Sequence, residues 1–207
     1  MKDERFSILK NLLPPVFLLS VFNLYFFPVL FEDKVFFFRD ISHFAFPMKF
    51  YLAQVWELGD WPFWYPNLVQ GIPFLQQMHP GIFYPPSALF LINDFILAFN
   101  VYFLFHHLIL MFSVYALCRC WQKSVQASLC ASLTSLLGGY FLSIASVYNH
   151  FQSAVWFPLI LLMWHKYLSN TNAKNFCGAV VFLSFQVLGG GPEHAIFSVL
   201  LLYANSL

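Results

Sequence analysis

The sequence predicts an all-α fold: a polytopic bundle of about six transmembrane helices carrying one large, ordered loop outside the bilayer. Three observations predict it. Apolar residues make up 60% of the 207 and charged residues only 9%, too few to clothe a water-soluble domain. The apolar residues fall in long blocks, several of them near the ~20 residues that a bilayer core requires. The basic residues cluster between alternate blocks, as in a chain that crosses a membrane repeatedly. A net charge of +1 and the absence of a basic patch argue against nucleic acid, and four cysteines do not make a disulfide framework. The chain reads as one membrane domain, residues 1–207.

The first block covers residues 11–31. It follows a charged stretch and ends in Phe26-Phe27-Pro28-Val29-Leu30-Phe31. That ending is bulky and offers no small-x-small cleavage site, so the block reads as an uncleaved span. Five more blocks follow at residues 95–117, 124–147, 153–165, 176–188, and from 195 to the last residue. Lys2, Arg5 and Lys10 precede the first span, Arg119 and Lys123 separate the second and third, and Lys166 and Lys174 the fourth and fifth. A cytoplasmic N-terminus puts all of them inside, and the first loop outside. The opposite turns, Tyr148-Asn149-His150 and Gly189-Gly190-Gly191-Pro192-Glu193-His194, carry no Lys or Arg. Small residues (Ala127, Ser128, Ala131, Ser132, Ser135) mark a close-packing face on the third span. Adjacent residues on a helix point about 100° apart, so His106-His107 makes no chelate. Cys118 and Cys120 flank Arg119 without further ligands nearby and read as packing residues.

The loop at residues 32–94 is dense in Phe, Trp, Tyr and Pro, which favour the bilayer interface. Residues 44–58 fit an interfacial helix, with Phe44, Met48, Tyr51 and Val55 on one face and Lys49, Glu57 and Asp60 near the opposite one. Pro47 suits its first turn and Gly59 the position past its end. Beyond it, Pro and Gly recur too often for regular structure. Residues 87–92 fit a short turn before the second span.

An acidic residue after the first span is followed by this helix. Then come Gly59-Asp60-Trp61-Pro62, Trp64, Pro66-Asn67, Gly71 with Pro73, and Gly81 with Tyr84-Pro85. In that order they resemble the YfhO-like membrane proteins of the GT-C class of glycosyltransferases. The turn from Gly189 to Glu193 resembles a second signature, Gly-Gly-His-Pro followed by Glu or Gln, with Gly191 standing where the family has His. The match covers the N-terminal portion of a family whose members are longer, so the chain reads as a fragment. The resemblance implies an enzyme of the cell envelope, in a bacterial cytoplasmic membrane. Its substrates would be a polyprenyl-phosphate-linked sugar and an extracytoplasmic acceptor, and Asp40 would be the general base of an inverting displacement.

The residues themselves leave two readings open at most positions. Asp40 beside Arg39 fits a base or a pair of interfacial charges. Arg39, Lys49 and His79 fit contacts to a donor phosphate. Glu57 and Asp60 fit sugar contacts, or a solvated helix face and a turn-starting Asp. Topology brings His150, Glu193 and His194 to the membrane face of Asp40, where Glu193 equally fits a helix start after Pro192. No ligand spacing is tight enough to call for a metal, although a divalent ion is compatible. Two other functions fit the same chain: a lipid-linked substrate flippase or transporter, and a non-catalytic scaffold.

Overall fold

A computed structural model describes residues 2–204 and 206, with side chains from residue 12 onward. The side chains of Lys2, Arg5 and Lys10 lie outside the described residues, as does Leu207. The fold is almost entirely helical. Helix α1 spans Lys2–Tyr25 and α2 spans Phe27–Phe31. A π-helical turn, Ile41–Ala45, leads into α3, Phe46–Glu57, and a 3-10 helix, Pro85–Leu91, precedes α4, Phe95–Cys120. Then follow α5 (Val125–Leu137), α6 (Gly139–Ile144), α7 (Tyr148–Ala154), α8 (Phe157–Ser169), α9 (Ala173–Leu188) and α10 (Pro192–Ala204).

Helix α4 is the axis of the bundle. Asp94 caps it by accepting a hydrogen bond from the Leu97 amide at 3.0 Å, a contact worth about 1 kcal/mol. Its 26 residues extend roughly 39 Å. Helix α5 packs along it through Ser128 and Ser132, both fully buried. Ser132 donates to the Met111 carbonyl of α4 at 2.7 Å. These are the small residues expected to allow close approach. Gly138 adopts extended backbone and divides the predicted third span into α5 and α6. Helices α8 and α9 form an antiparallel hairpin that also packs on α4 and α10. Trp121 and His165 meet edge to face at one end of the bundle, which gathers the turns bearing Arg119, Lys123, Lys166 and Lys174 there.

Two helices, Phe95–Cys120 and the broken Val125–Ile144, are long and apolar enough to cross a membrane. Leu12–Tyr25, α9 and α10 are apolar but shorter. Large apolar side chains nevertheless stay exposed along α1 (Leu13, Val16, Leu24), α9 (Val180, Val181) and α10 (Ile196, Phe197, Leu200).

The long loop is ordered and folds back on the bundle. Helix α3 begins with Pro47 in its first turn and ends at Gly59, whose φ of +72° is the left-handed conformation that terminates a helix. A minimal antiparallel pair, β1 (Trp64–Tyr65) with β2 (Ile72–Pro73), lies in the aromatic stretch between α3 and the 3-10 helix. Tyr65 and Phe74 from this hairpin pack with Met48 and Leu52 of α3. The expected apolar face of α3 is therefore rotated. Met48, Lys49 and Leu52 are its buried residues, while Phe44 is largely exposed. Lys49, expected opposite the apolar face, is buried because the loop and the bundle cover opposite sides of this helix.

Candidate functional site

Asp40 stands at the N-terminal edge of the π-helical turn, whose Ile41 and Ala45 are anchored in the main core. Arg39 before it has φ +48°, a left-handed conformation uncommon for a residue with a side chain. The Asp40 carboxylate caps no amide of its own turn. It lines a cleft of about 300 Å³ with Phe44, Met48, His79, Tyr148 and His150. Burial, and then the Asp40 charge, push the Tyr148 phenol above its ordinary pKa, because both disfavour a second negative charge there.

The other wall is built by the outer turns. Gly190 has φ +90°, and a Cβ there would lie 2.8 Å from the Met78 carbonyl oxygen. Only glycine lets the loop bearing His79 sit against this turn. Asn149 donates to the Gly190 carbonyl at 3.1 Å, and the Gly191 amide donates to Ser153 Oγ at 2.9 Å. At Gly191 a Cβ would meet Ser153 Oγ at 2.9 Å and Glu193 Oε1 at 3.1 Å. A histidine there, as in the resembled signature, would displace that hydrogen bond. Glu193 Oε1 is 2.7 Å from His150 Nδ1 and 3.1 Å from His194 Nδ1. Glu193 and His194 also line a neighbouring, mostly apolar groove of about 300 Å³, with Tyr140, Phe157, Gln186 and Phe197.

Asp40, His79 and His150 thus share one cleft, and Glu193 and His194 adjoin it through His150. Arg39 is exposed beside it. Glu57 and Asp60 lie elsewhere: Glu57 lines a groove with Phe50 and Asn93, and Asp60 one with Trp56 and Trp61. Asp60 accepts from the adjacent Trp61 amide at 2.9 Å; the amide two residues on that a turn-starting Asp would bond is missing, because that residue is Pro62.

Lys49 is a structural cation, in place of the expected phosphate contact. It is 1% exposed and donates to the Pro80 carbonyl at 2.6 Å and to Ser87 Oγ at 3.1 Å. Its ammonium also sits 4.6 Å from the Tyr102 ring centroid and 5.2 Å from that of Phe90. Such cation–π contacts contribute about 1–2 kcal/mol when desolvated. Burial lowers its pKa from 10.5 to about 7. It holds from beneath the loop that carries His79.

A second polar group lies inside the bundle. Tyr84 bridges His106 Nε2 at 2.7 Å and the Trp156 indole at 2.6 Å. Tyr102 donates to the Gln152 side chain, whose amide donates to the Gly189 carbonyl. His107 is bound to the Phe103 carbonyl and packs against Phe151 and Phe26. Both histidines are buried and neither faces a ligand-bearing neighbour. Ser153, Gln152 and Gln186, which hold the outer turns, gave no signal in sequence. They are uncharged residues scattered in mostly apolar segments, with no spacing that points to a partner.

No family model, no curated protein and no solved structure matches the chain. The fold and site define a class only: a helical protein with two helices long and apolar enough to cross a membrane and, at one end, an open, mostly apolar cleft bordered by Asp40, His79 and His150.

Proposed function

We propose that this chain is an integral membrane protein crossing the bilayer about six times, and that its outer cleft transfers a sugar from a polyprenyl-phosphate donor to an acceptor hydroxyl. The observation that carries this reading is the convergence of Asp40, His79, Tyr148 and His150, from three separate stretches, on one cleft at the end opposite the lysine-bearing turns. The exposed apolar faces of α1, α9 and α10 support the further spans, because such surface is stable against lipid and costly against water. The resemblance of the loop to the YfhO-like proteins supplies the substrate class.

The chemistry follows from the groups. As the acceptor oxygen attacks the anomeric carbon, Asp40 takes its proton. The bond from that carbon to the phosphate oxygen breaks, and the phosphate leaves with the electron pair. Hydrogen-bond donors must face the departing oxygens, and His79 and His150 border the same space. The apolar groove beside Glu193 suits a lipid tail. Tyr102 of α4 is bonded to Gln152 of α7, and His106 and His107 to Tyr84 and to backbone carbonyls, which favours transfer over the flippase alternative, because a carrier needs polar groups along an open path.

The test is transfer of label from a mixture of polyprenyl-phosphate sugars in proteoliposomes. Parent, Asp40→Asn and Glu57→Gln are compared after equal insertion. Asp40→Asn is expected to lose about 10²-fold or more, and Glu57→Gln to stay within about twofold. Equal transfer by parent and Asp40→Asn removes Asp40 as base. A correctly inserted parent that transfers nothing across a broad donor and acceptor set defeats the enzyme reading. Movement of the labelled lipid between leaflets would then identify a flippase, and no movement a scaffold. Asp40→Cys, with the four native cysteines replaced by serine, should react with an impermeant thiol reagent from the outer side alone. Labelling from the inner side overturns the topology.

A further inference from the structure

We infer that His150, Glu193 and His194 form a zinc site. Each residue offers one ligand atom, and all three atoms lie within 4.8 Å of one another. The carboxylate sits between the two imidazoles, and the ring centroids are 5.4 Å apart. Tetrahedral zinc with bonds of 2.0–2.2 Å sets its ligand atoms roughly 3.3 Å apart. The present separations of 2.7 and 3.1 Å from Glu193 Oε1 need to open by roughly 0.2–0.6 Å, and the two imidazole ligand atoms, within 4.8 Å of each other, need to close by at most about 1.5 Å, which side-chain rotation supplies. Two imidazoles and one carboxylate are the donors of a catalytic-type zinc centre. Magnesium and calcium prefer oxygen ligands alone.

The ligands are held before any ion arrives. The His150 amide donates to the Val147 carbonyl at 3.0 Å and the His194 amide to the Gly191 carbonyl at 3.0 Å. The two stretches are tied together by Asn149 on Gly190 and by Gly191 on Ser153. The fourth position is open, because the three residues divide two clefts: His150 borders the one containing Asp40 and His79, and the other two border the apolar groove. An independent observation in that groove points to a ligand. Gln186 is 1% exposed, its amide donates to the Ser153 carbonyl at 3.3 Å, and its Oε1 is buried without a partner. An unpaired buried acceptor is costly, and water or a hydroxyl carried by the zinc site's ligand would satisfy it. This inference does not depend on the transfer reading.

The test uses the purified full chain, stripped with chelator, with Cys118, Cys120, Cys130 and Cys177 replaced by serine so that thiolates do not compete. Cobalt(II) is titrated as a spectroscopic probe, then displaced with zinc. The expected result is one cobalt per chain, intense tetrahedral visible bands, and displacement by stoichiometric zinc but not by excess magnesium. His150→Ala and Glu193→Gln should each weaken zinc binding by at least ~100-fold at unchanged helical content by circular dichroism. His79→Ala should leave it unchanged. Absence of stoichiometric binding, octahedral cobalt spectra, or equal affinity in His150→Ala, Glu193→Gln and parent would overturn the site. Should a variant lose helical content, competition between zinc and a chromophoric indicator on the folded parent decides the matter alone.

Discussion

Inside the bundle, Tyr84, Tyr102, His106, Gln152 and Trp156 are buried and bonded to one another. At the outer end, Asp40, His79, His150, Glu193 and His194 are all partly or fully exposed and face clefts. Both regions are aromatic and histidine-bearing. The inner set spends its side-chain hydrogen bonds on its own members and on the backbone around them, so it specifies packing. The outer set keeps acceptors and ring nitrogens toward open volume, so it is free to bind. Lys49 marks the boundary: it belongs to the outer loop by sequence and to the inner set by environment.

That boundary gives the largest expected effect. The folded pKa of Lys49, about 7, lies below its ordinary value of 10.5. Between those values the unfolded chain binds a proton that the folded chain does not. Unfolding free energy should therefore rise with pH from about 7 to about 10, by on the order of 4 kcal/mol. Denaturation in detergent across that window measures it. Lys49→Met should flatten the rise, and an equal slope in both proteins would show that Lys49 is not the group whose pKa is lowered.

The two histidine environments come next. His106→Ala opens a buried cavity and strands the Tyr84 hydroxyl, so it should cost about 3 kcal/mol. His150→Ala, assayed free of metal, should cost no more than about 0.5 kcal/mol. Similar costs for the two would abolish the distinction between closed and open polar regions.

The smallest effect contrasts two glycines. Gly190→Ala should destabilise by about 1–2 kcal/mol, since it combines φ +90° with a 2.8 Å approach to Met78. It should also loosen the His79 loop. Gly139 has nothing within 4 Å of its Cβ position, so Gly139→Ala should be neutral in the same thermal melts. Equal destabilisation would mean that the Gly190 contact does not hold the loop.

The helices were legible because local rules write them. Asp94 and Ser124 cap α4 and α5, Pro47 opens α3 and Gly59 closes it, and the small face of the third span reads directly as Ser128 and Ser132 against α4. The division of that span at Gly138 was not expected, because residues 124–147 read as one apolar block. In the candidate site, Asp40, His79 and His150 were legible as polar residues that the expected topology puts on one side. Glu57 and Asp60, on that same face by topology, were not separable from them, because topology assigns a side of the membrane and not a cleft.

By itself, then, the sequence determined the helical class, the order of the apolar segments, the ordered aromatic loop and the grouping of basic residues, since each depends on composition and short-range periodicity. Tertiary structure alone decided that Lys49 is buried, that His150 meets Glu193, and that Gly190 receives the His79 loop. Those outcomes depend on how a long loop closes over a helix that already has one covered face. Contacts between distant stretches have no periodicity along the chain from which they could be read.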